Sequence, residues 1–168
     1  MPTYRAPVKD SLFVINEVLN LEKYHNLPGF EEATPDMIEA ILGEAARLCE
    51  EVLHPLNRVG DEEGCVRNDD GSVTTPEGFK EAYDAYVEGG WMGLAADPEY
   101  GGQGLPYTLH SAVGEFLSSS NMAFAMYPGL TQGAIAAIQV HGSDEQKQTY
   151  LPKMIEGKWT GTMNLTEP

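Results

Sequence analysis

The chain has 168 residues, with 26 Asp and Glu against 10 Lys and Arg and a formal net charge of −16. That length suits one domain with its own core, and the negative charge argues against a nucleic-acid phosphate backbone or an anionic membrane surface as partner, since both would be repelled. Cys49 and Cys65 are too few for a disulfide framework and lack metal-ligand spacing, and no run approaches 18 apolar residues, so a reducing cytoplasm is the expected compartment.

Residues 11–20, SLFVINEVLN, place Leu12, Ile15 and Leu19 on one side of a short helix that Asp10 or Ser11 can cap, and it is expected to dock on the rest of the chain. Asp10, Glu17 and Glu22 make a membrane-anchoring role poor. Residues 26–34 read as a connector. Thr34 as N-cap, Pro35 in the first helical position and Asp36 in the first turn then open a long helix. Ile38, Ile41, Leu42, Ala45, Leu48, Cys49, Val52 and Leu56 keep helical spacing along it. Pro55 is expected to bend its end, which falls between Arg58 and Gly64.

Residues 65–75, CVRNDDGSVTT, carry Asp70-Gly71 between short extended pieces and predict a hairpin. A calcium loop is disfavoured, because aligning Gly71 with that loop's glycine puts Val66 where the first carboxylate belongs. Thr75 and Pro76 are expected to open the next helix, with Phe79, Tyr83, Tyr86 and Val87 on its apolar side and Gly89-Gly90 at its end. Trp91, Met92 and Leu94 follow as an apolar turn. Residues 98–104, PEYGGQG, invite comparison with a phosphate-cradling loop, but no parallel-strand pattern surrounds them. A tight connection with glycines at positive φ is preferred.

A helix over 105–120 with Val113, Phe116 and Leu117 buried comes next. Residues 121–141 are small and apolar with few charges, which predicts a largely enclosed helix kinked near Pro128-Gly129. Ser143 and Gln146 form a capping-box pair that starts another helix, which Pro152 is expected to divide. Beyond Gly157, Trp159, Gly161, Met163 and Leu165 alternate with polar residues, the period of a half-buried strand. With the chain stopping at Pro168, this strand is expected to lack a ladder and to fray or borrow a partner.

The runs HGSDEQKQTYLPKMIEGKWTGTMNLTEP and PEYGGQGLPYTLHSAVGEFLSSSN resemble the first half of an acyl-CoA dehydrogenase, a flavoprotein that introduces an α,β double bond into acyl-CoA thioesters. The resemblance covers nearly everything after Pro35. The opening MPTYRAPVKDSLFVINEVLN is similar to an extra segment of a larger bacterial branch, the one that includes 3-methylmercaptopropionyl-CoA dehydrogenases. It implies an all-α fold: an N-terminal extension over 1–33, a helical domain with a small hairpin over 34–158, and the first strand of a truncated β domain over 159–168. It also implies FAD as cofactor, with Met163, Leu165 and Thr166 carried over as flavin contacts. Asn164 departs from the family pattern, which usually has a small residue there. The positions that would face the acyl chain are Ala125, Gly129 and Gly133, all small. Without the resemblance these would be read as helix-packing positions. The family's catalytic base is a glutamate of a C-terminal domain that this chain does not contain, so no catalytic residue is assigned and the stretch alone is expected to be inactive. In the whole enzyme the resemblance implies α-proton abstraction by that glutamate and hydride transfer to flavin N5. It further implies acyl-CoA as substrate, electron-transferring flavoprotein as redox partner, and a homo-oligomer.

Other constellations carry less. Ser111 or Ser143 with His110 or His141 lack a strand-turn-helix elbow, the four histidines lack i, i+4 pairing for zinc, and Asp61, Glu62 and Glu63 suit a solvated face. Met122, Met126 and Tyr127 can line an acyl tunnel or serve as core. An acyl-CoA oxidase, which would consume oxygen, and a non-catalytic helical binding module are the alternative functions.

Overall fold

The computed structural model describes residues 3–163. Two segments precede the first long helix: α1 (Val8–Phe13), continued by a π-helical turn over Val14–Val18, and a 3-10 turn over Leu21–Tyr24. The main helices follow as α2 (Pro35–Arg47), a π-helical stretch (Leu48–Leu53), α3 (His54–Glu63), α4 (Phe79–Glu88), α5 (Tyr107–Ser120), α6 (Met122–His141) and α7 (Asp144–Ile155). Between α3 and α4 lies an antiparallel pair, β1 (Val66–Arg67) with β2 (Val73–Thr74), in the register Val66 to Thr74 and Arg67 to Val73. This is the expected all-α architecture with a minor hairpin.

The long helix starts as expected: the Thr34 hydroxyl accepts from the Met37 N–H at 3.3 Å, and Pro35 occupies the first turn. It runs unbroken to Glu63, where Gly64 takes φ +64°. The turn ahead of Pro55 is π-helical rather than simply bent. Proline lacks the N–H that would bond four residues back and its ring crowds that carbonyl, and a widened turn relieves both problems. The Asn121 side chain fixes the same place from outside, donating from Nδ2 to the Leu53 carbonyl at 3.0 Å. Its Oδ1 accepts from the Phe124 N–H at 3.0 Å, so one buried amide caps α6 and ties it to the long helix.

The core joins Leu42, Cys49 and Leu53 of the long helix to Leu109, Val113 and Phe116 of α5, Phe124 and Ile135 of α6, and Leu151 of α7. Tyr86 of α4 and Met92 of the following apolar turn close one side. Each of these large side chains stabilises by roughly 1.5–3 kcal/mol when taken out of water. The Pro98–Gly104 connection behaves as a structural loop: Gly101 and Gly104 have φ of +93° and +66°, and a Cβ on Gly102 would sit 2.0 Å from the Ala96 carbonyl oxygen.

Several expectations are corrected. The first helix begins at Val8 behind Pro7, without a side-chain cap from Asp10 or Ser11, and Leu19 is exposed. The helix after the hairpin begins at Phe79 behind Gly78, not at Thr75-Pro76. Helix α7 has the full capping box but is not divided by Pro152; it continues to Ile155, because Leu151, Met154 and Ile155 are buried and hold its last turn against the core. Helix α6 is not enclosed by the described residues. Phe124, Pro128, Thr131 and Ile135 face the core, while Met122, Met126, Gly129, Gly133, Ala136 and Val140 form an exposed apolar stripe.

Candidate functional site

Of the residues singled out for substrate and flavin, Ala125, Gly129 and Gly133 lie on α6 and Met163 on the segment that leaves α7. At about 100° per residue, positions 122, 126, 129, 133, 136 and 140 fall on one side of a helix. In α6 that side is open: Met126 is 60% exposed and Val140 70%. A Cβ built on Gly129 or on Gly133 would meet nothing within 4 Å. These two glycines therefore do not serve close packing between described elements, which was the competing interpretation of their small size. Ala125 lies at the border of the stripe and packs partly against the core. Met122, Met126 and Tyr127 are exposed rather than core. What the described chain builds there is an open, exposed apolar helix face.

The opposite side of α6 holds the departing segment. The Thr131 hydroxyl, fully buried, accepts from the Gly161 N–H at 3.2 Å. Tyr127 OH donates to Thr160 Oγ1 at 3.4 Å, and the Tyr127 ring stands edge-on to Tyr83 with centroids 5.3 Å apart. Tyr83 OH in turn donates to the Gly157 carbonyl at 2.9 Å. Lys153 lies 5.1 Å from the centroid of the Trp159 ring, which tilts against Tyr150. Of the strand expected over 159–168, residues 159–163 are described; they form no strand, and Thr160 and Gly161 rest on α6 while Trp159 lies against α7. Met163, the described member of the three expected flavin contacts, is 66% exposed. Leu165 and Thr166 lie outside the described residues. Met163 therefore lies open to contact, two residues beyond the fastened backbone at Gly161.

A concavity of about 490 Å³ lies between the long helix and α4, lined among others by Ile41, Glu44, Arg47, Leu48, Val52 and Trp91. Sequence reasoning missed it because Ile41, Leu48 and Val52 share the helical spacing of the core positions. The remaining candidates do not assemble. Ser143 serves as the α7 cap, and Ser111 donates to the Tyr107 carbonyl. His110 packs beside Tyr107, with burial holding its imidazole below the usual value. Among the described residues no three His, Cys, Asp or Glu side chains are placed to hold a metal ion, and no helix is long and apolar enough to cross a membrane.

The family described as acyl-CoA dehydrogenase, N-terminal domain, matches residues 35–158. The chain belongs to the acyl-CoA dehydrogenase family. It is 45% identical over 166 residues to 3-methylmercaptopropionyl-CoA dehydrogenase of Ruegeria pomeroyi, a match covering 99% of this chain and 28% of that protein. A butyryl-CoA dehydrogenase of Syntrophomonas wolfei is 34% identical, with 98% of this chain and 27% of the relative covered. Among solved structures, a chain in one described as the electron transferring flavoprotein of Acidaminococcus fermentans superposes with a TM-score of 0.62 at 27% identity, over 79% of this chain and 31% of that one. The chain thus spans little more than a quarter of the length of these curated relatives. The similarity to the Ruegeria protein begins ahead of Pro35, as the resemblance of the opening segment implies.

Proposed function

We propose that this chain is the N-terminal helical part of an FAD-dependent acyl-CoA dehydrogenase that converts acyl-CoA to trans-2-enoyl-CoA, with α6 forming one wall of the acyl-chain site. The observation that carries this is the open, small-residue side of α6, where Gly129 and Gly133 leave space next to Met126. A saturated acyl chain laid there would be shielded from water on that side, and exclusion of water strengthens the electrostatics of the neighbouring chemistry. The open glycines favour long or bulky acyl groups. Met163, Leu165 and Thr166 would hold the edge of FAD, which when bound supplies the hydride acceptor. The base is a glutamate of a domain outside this chain, so residues 1–168 alone have no dehydrogenase activity. Electron-transferring flavoprotein as redox partner draws support from the matched flavoprotein structure. A homo-oligomeric enzyme in the cytoplasm completes the proposal.

The test is anaerobic addition of a saturated acyl-CoA to the full-length protein and to residues 1–168. The full-length protein is expected to be yellow and to lose its visible flavin absorbance, while the isolated stretch is colourless. A full-length protein that binds no flavin, or a bleaching response in the isolated stretch, would contradict the proposal. In a parallel aerobic assay, consumption of oxygen in step with enoyl-CoA formation would instead indicate an oxidase.

A further inference from the structure

The departing segment is fastened at three points within five residues: the Gly157 carbonyl by Tyr83, Thr160 by Tyr127, and the Gly161 N–H by Thr131. Tyr127, Thr131 and Ala134 lie at i, i+4 and i+7, one side of α6. The backbone at 161 rests directly on that side. A Cβ there would lie 2.6 Å from the Ala134 methyl and 3.3 Å from the Leu130 carbonyl oxygen, so only glycine permits the approach. Thr131 is fully buried. A buried hydroxyl is costly unless paired, and valine would fill the same volume without that cost. The hydroxyl is therefore informative, because it meets a backbone N–H that belongs to no ladder among the described residues.

We propose that Thr131 is a positioning residue for the flavin-facing segment, its hydroxyl fixing through Gly161 the path of the backbone that carries Met163, and resting on the flavin contacts proposed above. Gly129 and Gly133 lie roughly opposite Thr131 around the helix axis, at about 100° per residue. One helix then presents the acyl wall on one side and registers the flavin edge on the other. Loss of the Thr131 hydroxyl would shift the segment without altering the acyl wall, which separates cofactor effects from substrate effects.

The experiment uses the full-length enzyme with Thr131→Val, Thr131→Ser and Gly161→Ala, each measured for FAD dissociation constant, visible flavin spectrum, kcat, KM for one acyl-CoA, and melting temperature of the apoprotein. Thr131→Val is expected to weaken FAD binding about tenfold, the effect of losing one buried hydrogen bond. Its flavin bands shift and kcat falls, with KM for acyl-CoA unchanged, and Thr131→Ser restores FAD affinity. Gly161→Ala is expected to reproduce the Val phenotype, because the added methyl pushes the same backbone off α6. Wild-type FAD affinity and spectrum in both Thr131→Val and Gly161→Ala, whatever their melting temperatures, would reduce Thr131 to a fold contact and overturn the proposal. A wild-type protein that binds no FAD would instead bring down the flavin assignment itself.

Discussion

Asn121 makes two buried hydrogen bonds with one amide, and the two can be separated by substitution. Asn121→Ala removes both the α6 cap and the tie to Leu53, and urea unfolding is expected to show a loss of about 2–3 kcal/mol. Asn121→Asp keeps the cap but replaces the donor facing the Leu53 carbonyl with an oxygen, so it is expected to be no better than Ala. Near-wild-type stability of the Asp variant would show that the tie contributes nothing. The cysteines differ in the same local way. Burial pushes the Cys49 thiol up to about 11, so at pH 8 about one molecule in a thousand carries the thiolate, while Cys65 is exposed. A thiol reagent is expected to titrate one cysteine quickly in the native protein and the second only after unfolding. Because the Cys49 value is raised in the folded state, its contribution to stability is complete below the ordinary thiol value of 9.0 and is lost as pH rises toward about 11. Cys49→Ala should flatten that part of the alkaline melting profile.

Among the elements, the N-terminal arm is strapped to the π-helical stretch and to the start of α3. The Ala6 N–H donates to Glu50 Oε1 at 3.0 Å, Arg5 pairs with the same carboxylate, and the Tyr4 N–H donates to His54 Nε2 at 3.3 Å. Burial opposes ionisation of Glu50, but the Ala6 N–H and the Arg5 guanidinium outweigh it and hold the carboxyl below the ordinary 4.5. A depressed carboxyl stabilises the strap fully above that ordinary value, and the contribution disappears as pH falls through the folded one. Hydrogen exchange of residues 4–18 is expected to accelerate in acid before that of α2 does, and Glu50→Gln should produce the same loosening at neutral pH. Equal protection of both regions at every pH would show that the strap is not held by this carboxylate. The docking of residues 11–20 was legible from Ile15, which is buried, but the start at Val8 was not, since Pro7 supplies no side-chain cap that sequence could display. The long helix was legible because its apolar positions keep a 3.6-residue spacing, whereas the π-turn inside it leaves no compositional mark beyond Pro55. The hairpin followed from Asp70-Gly71: the Asp70 carboxylate accepts from the Ser72 N–H at 2.9 Å, an interaction set by adjacent residues.

At the scale of the whole molecule, the exposed stripe of α6 sets the limit of what sequence could reveal. Apolar composition says that a surface is removed from water, not what removes it. Residues 121–141 therefore suggested enclosure, while the described chain leaves Met126 and Val140 open. Small size at Gly129 and Gly133 was equally ambiguous between close helix packing and a cavity, and no described residue packs against either. The flavin contacts were expected only through resemblance, because a two-residue alternation carries no information about a cofactor.

The most direct test of the acyl-wall proposal is a chain-length series of acyl-CoA substrates on the full-length enzyme, comparing wild type with Gly129→Leu and Gly133→Leu. Each methylene that can no longer be buried is worth roughly 0.8 kcal/mol, about a fourfold effect on binding. Both variants should lose kcat/KM progressively as the acyl chain lengthens while sparing short substrates. Equal losses for short and long chains would contradict the account and return Gly129 and Gly133 to a structural role.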